Sequence, residues 1–225
     1  MSRALVFPGQ GSQRVGMGKE VHDAFVTARP VFEEVNDTLG QNLSRIMFEG
    51  PESELTLTEN AQPALMTVSI AIVRVIETEG LLPLSDIAAF VAGHSLGEYS
   101  ALAAAGAISL PDTAQLLKHR GEAMQMAVPI GEGQMTVILG LSLNEVGEIA
   151  KIASTEGICE IANDNAPGQV VLSGQSAAIE RAMILAKEKG AKRALPLEVS
   201  APFHCDLLQS AAEAMAGALA SIVIA

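Results

Sequence analysis

The segment Gly93-His-Ser95-Leu-Gly97 restricts this chain more than any other feature, because of what stands on either side of it. Ile87 to Val91 is apolar throughout, as expected of a parallel strand buried on both faces. Glu98 to Ala107 favours helix and follows directly. A serine with glycines two residues away on each side, between a strand and a helix, predicts a strained elbow that lifts the hydroxyl above the sheet. The same turn sets Ser95 at a helix N-terminus, so the Leu96 backbone N–H points at any negative oxygen forming on an attacked carbonyl. G-x-S-x-G arises often by chance; its strand-to-helix setting is what makes Ser95 a candidate nucleophile.

The flanking pattern is that of an α/β protein. Ala4 to Phe7 reads as a short strand stopped by Pro8, and the loop Gly9-Gln-Gly-Ser-Gln13 has glycines that permit tight turns and close backbone approach. Thr58 to Thr78 carries Leu65, Val68, Ile72 and Val75 at helical spacing, and Gly80 with Pro83 ends the run. A further helix starts near Pro111, with Ser109 as its cap and Leu116, Leu117 and Met124 on its apolar face. After Pro129 the glycines at 131 and 133 mark a break. Strand, helix, strand, strand, helix and strand then follow at 135–140, 144–154, 158–162, 170–173, 177–188 and 194–199. That order predicts an inserted ferredoxin-like subdomain over 131–199, with Pro167-Gly168 turning its central hairpin. Residues 1–130 and 200–225 form the main body, closing with a helix over 207–220 and the β-branched run Ser221 to Ile224, which reads as the start of a strand.

Composition removes several classes of function. Apolar residues make up 49% and charged residues 18%, so a packed core is expected. A net charge of −12 with 3% aromatics argues against a nucleic-acid surface. Cys159 and Cys205 lack ligand spacing, and His22, His94, His119 and His204 show no H-E-x-x-H pattern, which leaves no metal centre to predict. The richest apolar stretch, Pro63 to Ile76, includes Thr67 and Arg74 and is too short to span a bilayer, and no leader is visible before Pro8. These features predict a cytosolic protein that binds neither membrane nor nucleic acid.

A serine hydroxyl is a weak nucleophile at neutral pH and needs a base, for which histidine is the usual residue. His94 would have to fold back from the elbow, while His22 and His119 fall on predicted helices with surface-like surroundings. His204 lies in the loop where the chain re-enters the main body. Position alone leaves it open between a base and a structural histidine.

Four separate motifs, Phe7-Pro-Gly-Gln-Gly-Ser-Gln13, Gly93-His-Ser-Leu-Gly-Glu98, His119-Arg120-Gly121 and Pro202-Phe-His204, together resemble the malonyl-CoA:acyl-carrier-protein transacylases of fatty-acid synthesis. The resemblance runs over essentially the whole chain and implies a hydrolase-like parallel-sheet body carrying the ferredoxin-like insert. It implies Ser95 as nucleophile, His204 as base, and the backbone N–H groups of Gln10 and Leu96 as the oxyanion hole. Arg120 becomes the partner of the malonyl carboxylate through two parallel hydrogen bonds, a contact acetyl cannot make. Phe203 is expected to narrow the space around the α-carbon. Gln62 matches a position near the site, and Asn163 and Asn165 resemble residues lining the thioester-arm channel. The basic run Lys187, Lys189, Lys192 and Arg193 could meet a coenzyme A phosphate or an acidic carrier protein, or simply be a solvated helix end. Malonyl-CoA and acyl carrier protein are the implied partners, with no cofactor. The resemblance also implies further elements after residue 225, among them a carbonyl that orients His204, so weak or no turnover is expected of this length. Two other readings share the elbow: an α/β-hydrolase esterase or thioesterase, and a carrier-protein or coenzyme A binding remnant without turnover.

Overall fold

The computed structural model describes residues 3–129, 131–197 and 199–225. They form two compact units, Met1–Glu122 with Met215–Ala225, and Ala123–Ala214.

In the first unit, β1 (Ala4–Phe7) pairs in parallel with β2 (Phe90–Gly93), Phe7 lying opposite Gly93. Between them run α1 (Lys19–Ala24), α2 (Arg29–Leu39), α3 (Leu43–Glu49), α4 (Glu52–Leu55), α5 (Thr58–Gly80) and α6 (Leu84–Ile87). After β2 come α7 (Gly97–Ala104) and α8 (Leu110–Ala127). The main core gathers Phe32, Leu43, Met47, Leu55, Met66, Leu96 and Leu117, so helix-on-helix packing around α5 supplies most of it. α8 opens as expected: Ser109 Oγ accepts from the Asp112 N–H at 3.1 Å and donates to its carboxylate at 2.6 Å.

Three expectations for this unit need correction. The apolar run 87–91 is not one strand: Pro83 starts the single turn of α6 with an Asp86 N–H to Pro83 O bond, and the strand begins only at Phe90. Nor is it buried on both faces, since Phe90 is 67% exposed. The buried side of α5 carries Leu65, Met66, Ile70, Ala71 and Val73, whereas Ile72 is exposed; with 23 residues the helix is long enough to cross a membrane, and packing in the core rather than shortness marks it as a core helix. The run Ser221 to Ile224 forms no strand; the chain there turns, and the Ala225 N–H bonds to the Ala107 carbonyl.

The second unit holds β3 (Gly133–Leu139), α9 (Leu143–Ala153), β4 (Cys159–Ala166), β5 (Gln169–Gln175), α10 (Ser176–Glu188) and β6 (Arg193–Pro196). The sheet order is β4-β5-β3-β6 with every neighbour antiparallel, the split βαββαβ arrangement expected for a ferredoxin-like fold. Pro167 and Gly168 link β4 to β5, and Gly168 takes the positive φ of 78° that the turn needs. α9 starts with a capping box between Ser142 and Glu145. Alternation along the strands sends Ile138, Val170 and Leu172 into a core shared with α9 and α10. Met135 and Val171 point the other way, into a second cluster with Ala123, Met124, Phe203 and Leu208. The compact unit is therefore wider than the βαββαβ motif, because the end of α8 and the 201–211 segment pack on the sheet's other face. Of the last predicted strand, Glu198 lies outside the described residues.

Candidate active site

Ser95 sits between β2 and α7 with φ 52°, a left-handed backbone that a side-chain-bearing residue adopts only when its surroundings force it. The forcing is steric. A Cβ on Gly93 would lie 1.8 Å from the Gly97 carbonyl carbon, and one on Gly97 would lie 2.4 Å from the Phe7 oxygen. Only glycine at both positions lets strand, turn and helix approach so closely. β1 is tied to the same turn by the His94 N–H to Phe7 O bond at 3.0 Å, and a Cβ on Gly9 would fall 2.4 Å from His94 Nδ1. The first glycine loop is thus pressed against the elbow by residues that tolerate no side chain.

Arg120 reaches the elbow serine: its Nη2 donates to Ser95 Oγ at 3.1 Å, and its Nη1 donates to Gln62 Oε1 at 2.6 Å. Gln62 Nε2 donates to Thr58 Oγ1 at 2.9 Å, and the Thr58 hydroxyl donates to Gln10 Oε1 at 2.9 Å. Ser95, Arg120, Gln62 and Gln10 are therefore brought together in one hydrogen-bonded line. Burial holds the Arg120 guanidinium below its ordinary pKa, the Tyr99 ring lies 5.7 Å from its central carbon, and no carboxylate pairs with it among the described residues. A cation removed from water without an acidic partner is costly. Its place beside a serine hydroxyl suits it to a substrate that brings its own carboxylate. Leu96 is buried at the start of α7; among the described residues, neither its N–H nor that of Gln10 makes a hydrogen bond.

The remaining predicted residues lie in the second unit. His204 also has a left-handed backbone, φ 62°. Its loop is held by Phe203 in the second cluster, by the Cys205 Sγ–H to Pro202 O contact at 3.2 Å, and by the Asp206 N–H to Glu160 Oε2 bond at 2.8 Å. Asn163 and Asn165 lie on β4 rather than in the hairpin turn, the strand being carried past them by register shifts between Ile161 and Asn163 and between Asp164 and Ala166. In the basic run, Lys189 pairs with Glu148, so not all of that charge is unspent. Of the other histidines, His119 and His94 are exposed, and His22 packs against Phe32 and Phe48. A cleft lined by Ile70, Val73, Phe90 and Ala103 contains none of the predicted site residues.

Sequence reasoning missed Thr58, Tyr99 and the purpose of Gly121. A Cβ on Gly121 would lie 2.4 Å from Glu59 Cα and 2.7 Å from the Thr58 oxygen, so glycine after Arg120 lets α8 touch the first turn of α5. The signal was present as His119-Arg120-Gly121, and the partner helix was predicted from Thr58, but their packing against each other is not written in either segment.

The acyl transferase domain profile matches residues 4–225. A curated malonyl CoA-acyl carrier protein transacylase of Bacillus subtilis is 50% identical over 211 residues, covering 93% of this chain and 65% of its own length. The chain thus spans about two thirds of that relative. The crystal structure of an acyl-carrier-protein S-malonyltransferase from Bartonella henselae matches with a TM-score of 0.96 and 57% identity, over 100% of this chain and 71% of that one. A malonyl-transacylase solved in complex with a type II polyketide acyl-carrier protein matches with a TM-score of 0.94 and 43% identity, over 100% and 72%. These relatives share the hydrolase-like core and ferredoxin-like subdomain found here. With a family match across nearly every residue and an elbow built around Ser95, the chain belongs to the acyl transferase domain family.

Proposed function

We propose that the chain moves a malonyl group from malonyl-CoA, through an ester on Ser95, to the phosphopantetheine thiol of an acyl carrier protein in fatty-acid synthesis. One observation carries the choice of acyl group: Arg120, without a carboxylate partner among the described residues, donates to Ser95 Oγ at 3.1 Å. When Oγ bonds the thioester carbon of malonyl, the free carboxylate is only two carbons further on, a reach that suits a guanidinium adjacent to the nucleophile. An acetyl group would leave that guanidinium unmatched.

In the first step His204 takes the Ser95 proton as Oγ attacks the thioester carbon, and the N–H groups of Leu96 and Gln10 receive the oxyanion. The carbon–sulfur bond then breaks, and His204 returns the proton to the departing coenzyme A thiolate. In the second step the carrier thiol gives its proton to His204 and attacks the ester; the Ser95 oxygen leaves and recovers the proton. Gln62 holds Arg120 in place, and Phe203 limits the width around the α-carbon. Asn163 and Asn165 border the thioester arm, and the basic run from Lys187 to Arg193 meets the carrier protein or coenzyme A phosphates. The reading assigns the reaction to the cytoplasm, consistent with Cys159 and Cys205 both being free thiols.

Intact-mass spectrometry after mixing with malonyl-CoA tests this directly. The chain should gain the mass of one malonyl group, Ser95→Ala should gain none, and acetyl-CoA should acylate far more slowly. Arg120→Ala should slow malonyl acylation by about 10- to 100-fold, the worth of a charged hydrogen bond, and level the preference between the two donors. An adduct that persists in Ser95→Ala would refute the nucleophile.

A further inference from the structure

The hydrogen-bonded line beside Ser95 contains a residue to which the transfer described above gives no part. Thr58 is 1% exposed; its hydroxyl accepts from Gln62 Nε2 and donates to Gln10 Oε1, both at 2.9 Å. The direction of the line is set at its cationic end. A guanidinium can only donate, so Gln62 turns its oxygen to Arg120 and its NH₂ to Thr58, whose single proton passes on to Gln10. The Gln10 amide is thereby held by its oxygen against buried Thr58. Bonds in such a line strengthen one another.

Backbone packing makes Thr58 the fixed point. α8 presses on the first turn of α5 through Gly121, which leaves no room for a side chain against Glu59 Cα or the Thr58 carbonyl. On the first loop Gly9 is packed against His94 and the Gly11 N–H donates to Gln13 Oε1 at 2.8 Å, but neither contact holds the Gln10 side chain. Gly11, next to Gln10, has φ 120° with open space where a Cβ would stand, and the Gln10 N–H makes no hydrogen bond among the described residues. The bond to Thr58 is the side-chain contact that ties Gln10 to the first turn of α5.

We infer that Thr58 is a positioning residue: it fixes the Gln10 side-chain amide, and through it aims the Gln10 backbone N–H at the acyl oxygen. The inference rests on the reading of Gln10 as an oxyanion donor. It links the group that recognises the carboxylate, Arg120, to the group that receives the developing charge.

The test compares Thr58→Val, which keeps the shape and loses the hydroxyl, with Thr58→Ser, which keeps the hydroxyl. Ser95 acylation is followed by rapid-quench intact mass over a range of malonyl-CoA concentrations. Thr58→Val should lower the maximal acylation rate about tenfold, a fraction of the 10²–10³ lost when an oxyanion donor is deleted. The half-saturating malonyl-CoA concentration should stay within about twofold, because both Arg120 bonds, to Gln62 Oε1 and Ser95 Oγ, remain available although Gln62 Nε2 loses its acceptor. Thr58→Ser should retain at least about a third of the rate. A wild-type rate in Thr58→Val, a loss confined to half-saturation, or a Thr58→Ser as slow as Thr58→Val overturns the inference. If Thr58→Val does not fold, Thr58→Ala replaces it in the same comparison. A second readout is independent of turnover: the ¹⁵N side-chain amide of Gln10 should be ordered in the wild type and Thr58→Ser, and mobile in Thr58→Val. Unchanged order in Thr58→Val also overturns it. A wild type that forms no malonyl ester would defeat the substrate reading alone, and the amide order would still decide the role of Thr58.

Discussion

Ser95 and His204 are two of only three side-chain-bearing residues with a left-handed backbone among the described residues, and they are held in that state by different means. Around Ser95 the constraint is exclusion: Gly93 and Gly97 bring backbone against backbone so closely that the turn has one way to fit. Around His204 it is attachment. Pro202 packs where a Cβ of Gly133 would be, Phe203 is anchored in the core, and polar bonds from Cys205 and Asp206 tie the following residues down. Each left-handed residue costs about 1–3 kcal/mol and persists only where the neighbourhood over-determines it. Exclusion makes a rigid turn at Ser95; attachment makes a loop whose stiffness depends on a few polar bonds that can be removed one at a time.

The largest effect should come from the excluded site. Gly93→Ala forces a methyl to within 1.8 Å of the Gly97 backbone, with no flexible side chain to move aside. It should destabilise the first unit by at least ~3 kcal/mol, read as a fall in the urea midpoint, and Gly97→Ala should behave alike. A Gly93→Ala protein of wild-type stability would show that the elbow is not held by exclusion.

This contrast also accounts for what could be read in the sequence. Exclusion is local: G-x-S-x-G, the apolar run before it and the helix after it stand within about twenty residues, so the strained elbow at Ser95 was legible. The βαββαβ order was equally plain, because each element carries its own periodicity and the turn at Pro167-Gly168 its own chemistry. Attachment is remote. Glu160 holds Asp206 across 46 residues, and Thr58 reaches Gln10 across 48, with nothing in either stretch to announce the partner. The face of α5 was misjudged for a related reason. Apolar residues surround much of that helix, and only its tertiary neighbours decide that Ile70 is buried and Ile72 exposed.

The attached loop should yield to smaller changes. Glu160→Ala removes the carboxylate that accepts the Asp206 N–H, and should cost about 1–2 kcal/mol in the second unit. Hydrogen exchange at the Asp206 amide should quicken while the amides of α7 keep their protection. Equal quickening in α7 would erase the distinction between the two regions.

Alkali provides a gentler probe of the same loop. Burial pushes the Cys159 thiol up to about 11 and raises Cys205 as well, so both are protonated at neutral pH, and Cys205 donates to Pro202 O. A group whose folded pKa is raised contributes stability in full below its unfolded value and loses it as pH rises through the folded one. The second unit should therefore weaken between the ordinary thiol range and about pH 11, with exchange rising around Pro202–Leu208. The elbow, held by backbone packing at Gly93 and Gly97, should keep its protection relative to the rest of its own unit.

The smallest effect concerns the third left-handed residue, Leu81, which caps α5 with φ 53°. Its side chain is 86% exposed and buries nothing that would offset the strain. A left-handed conformation costs a residue with a Cβ about 1–2 kcal/mol, and glycine gives back part of the difference as lost unfolded-state restriction. Leu81→Gly should therefore stabilise the first unit by about 0.5–1 kcal/mol, seen as a higher urea midpoint with no change in the rate of Ser95 acylation. The equivalent relief at the elbow, Ser95→Gly, should also raise the midpoint, but at the cost of all acylation. If both variants stabilise and only one is silent in chemistry, the strain at Ser95 is tied to function and that at Leu81 is not. If Ser95→Gly leaves the midpoint where it was, exclusion by Gly93 and Gly97 already accommodates the serine, and the elbow is less strained than its backbone angle implies.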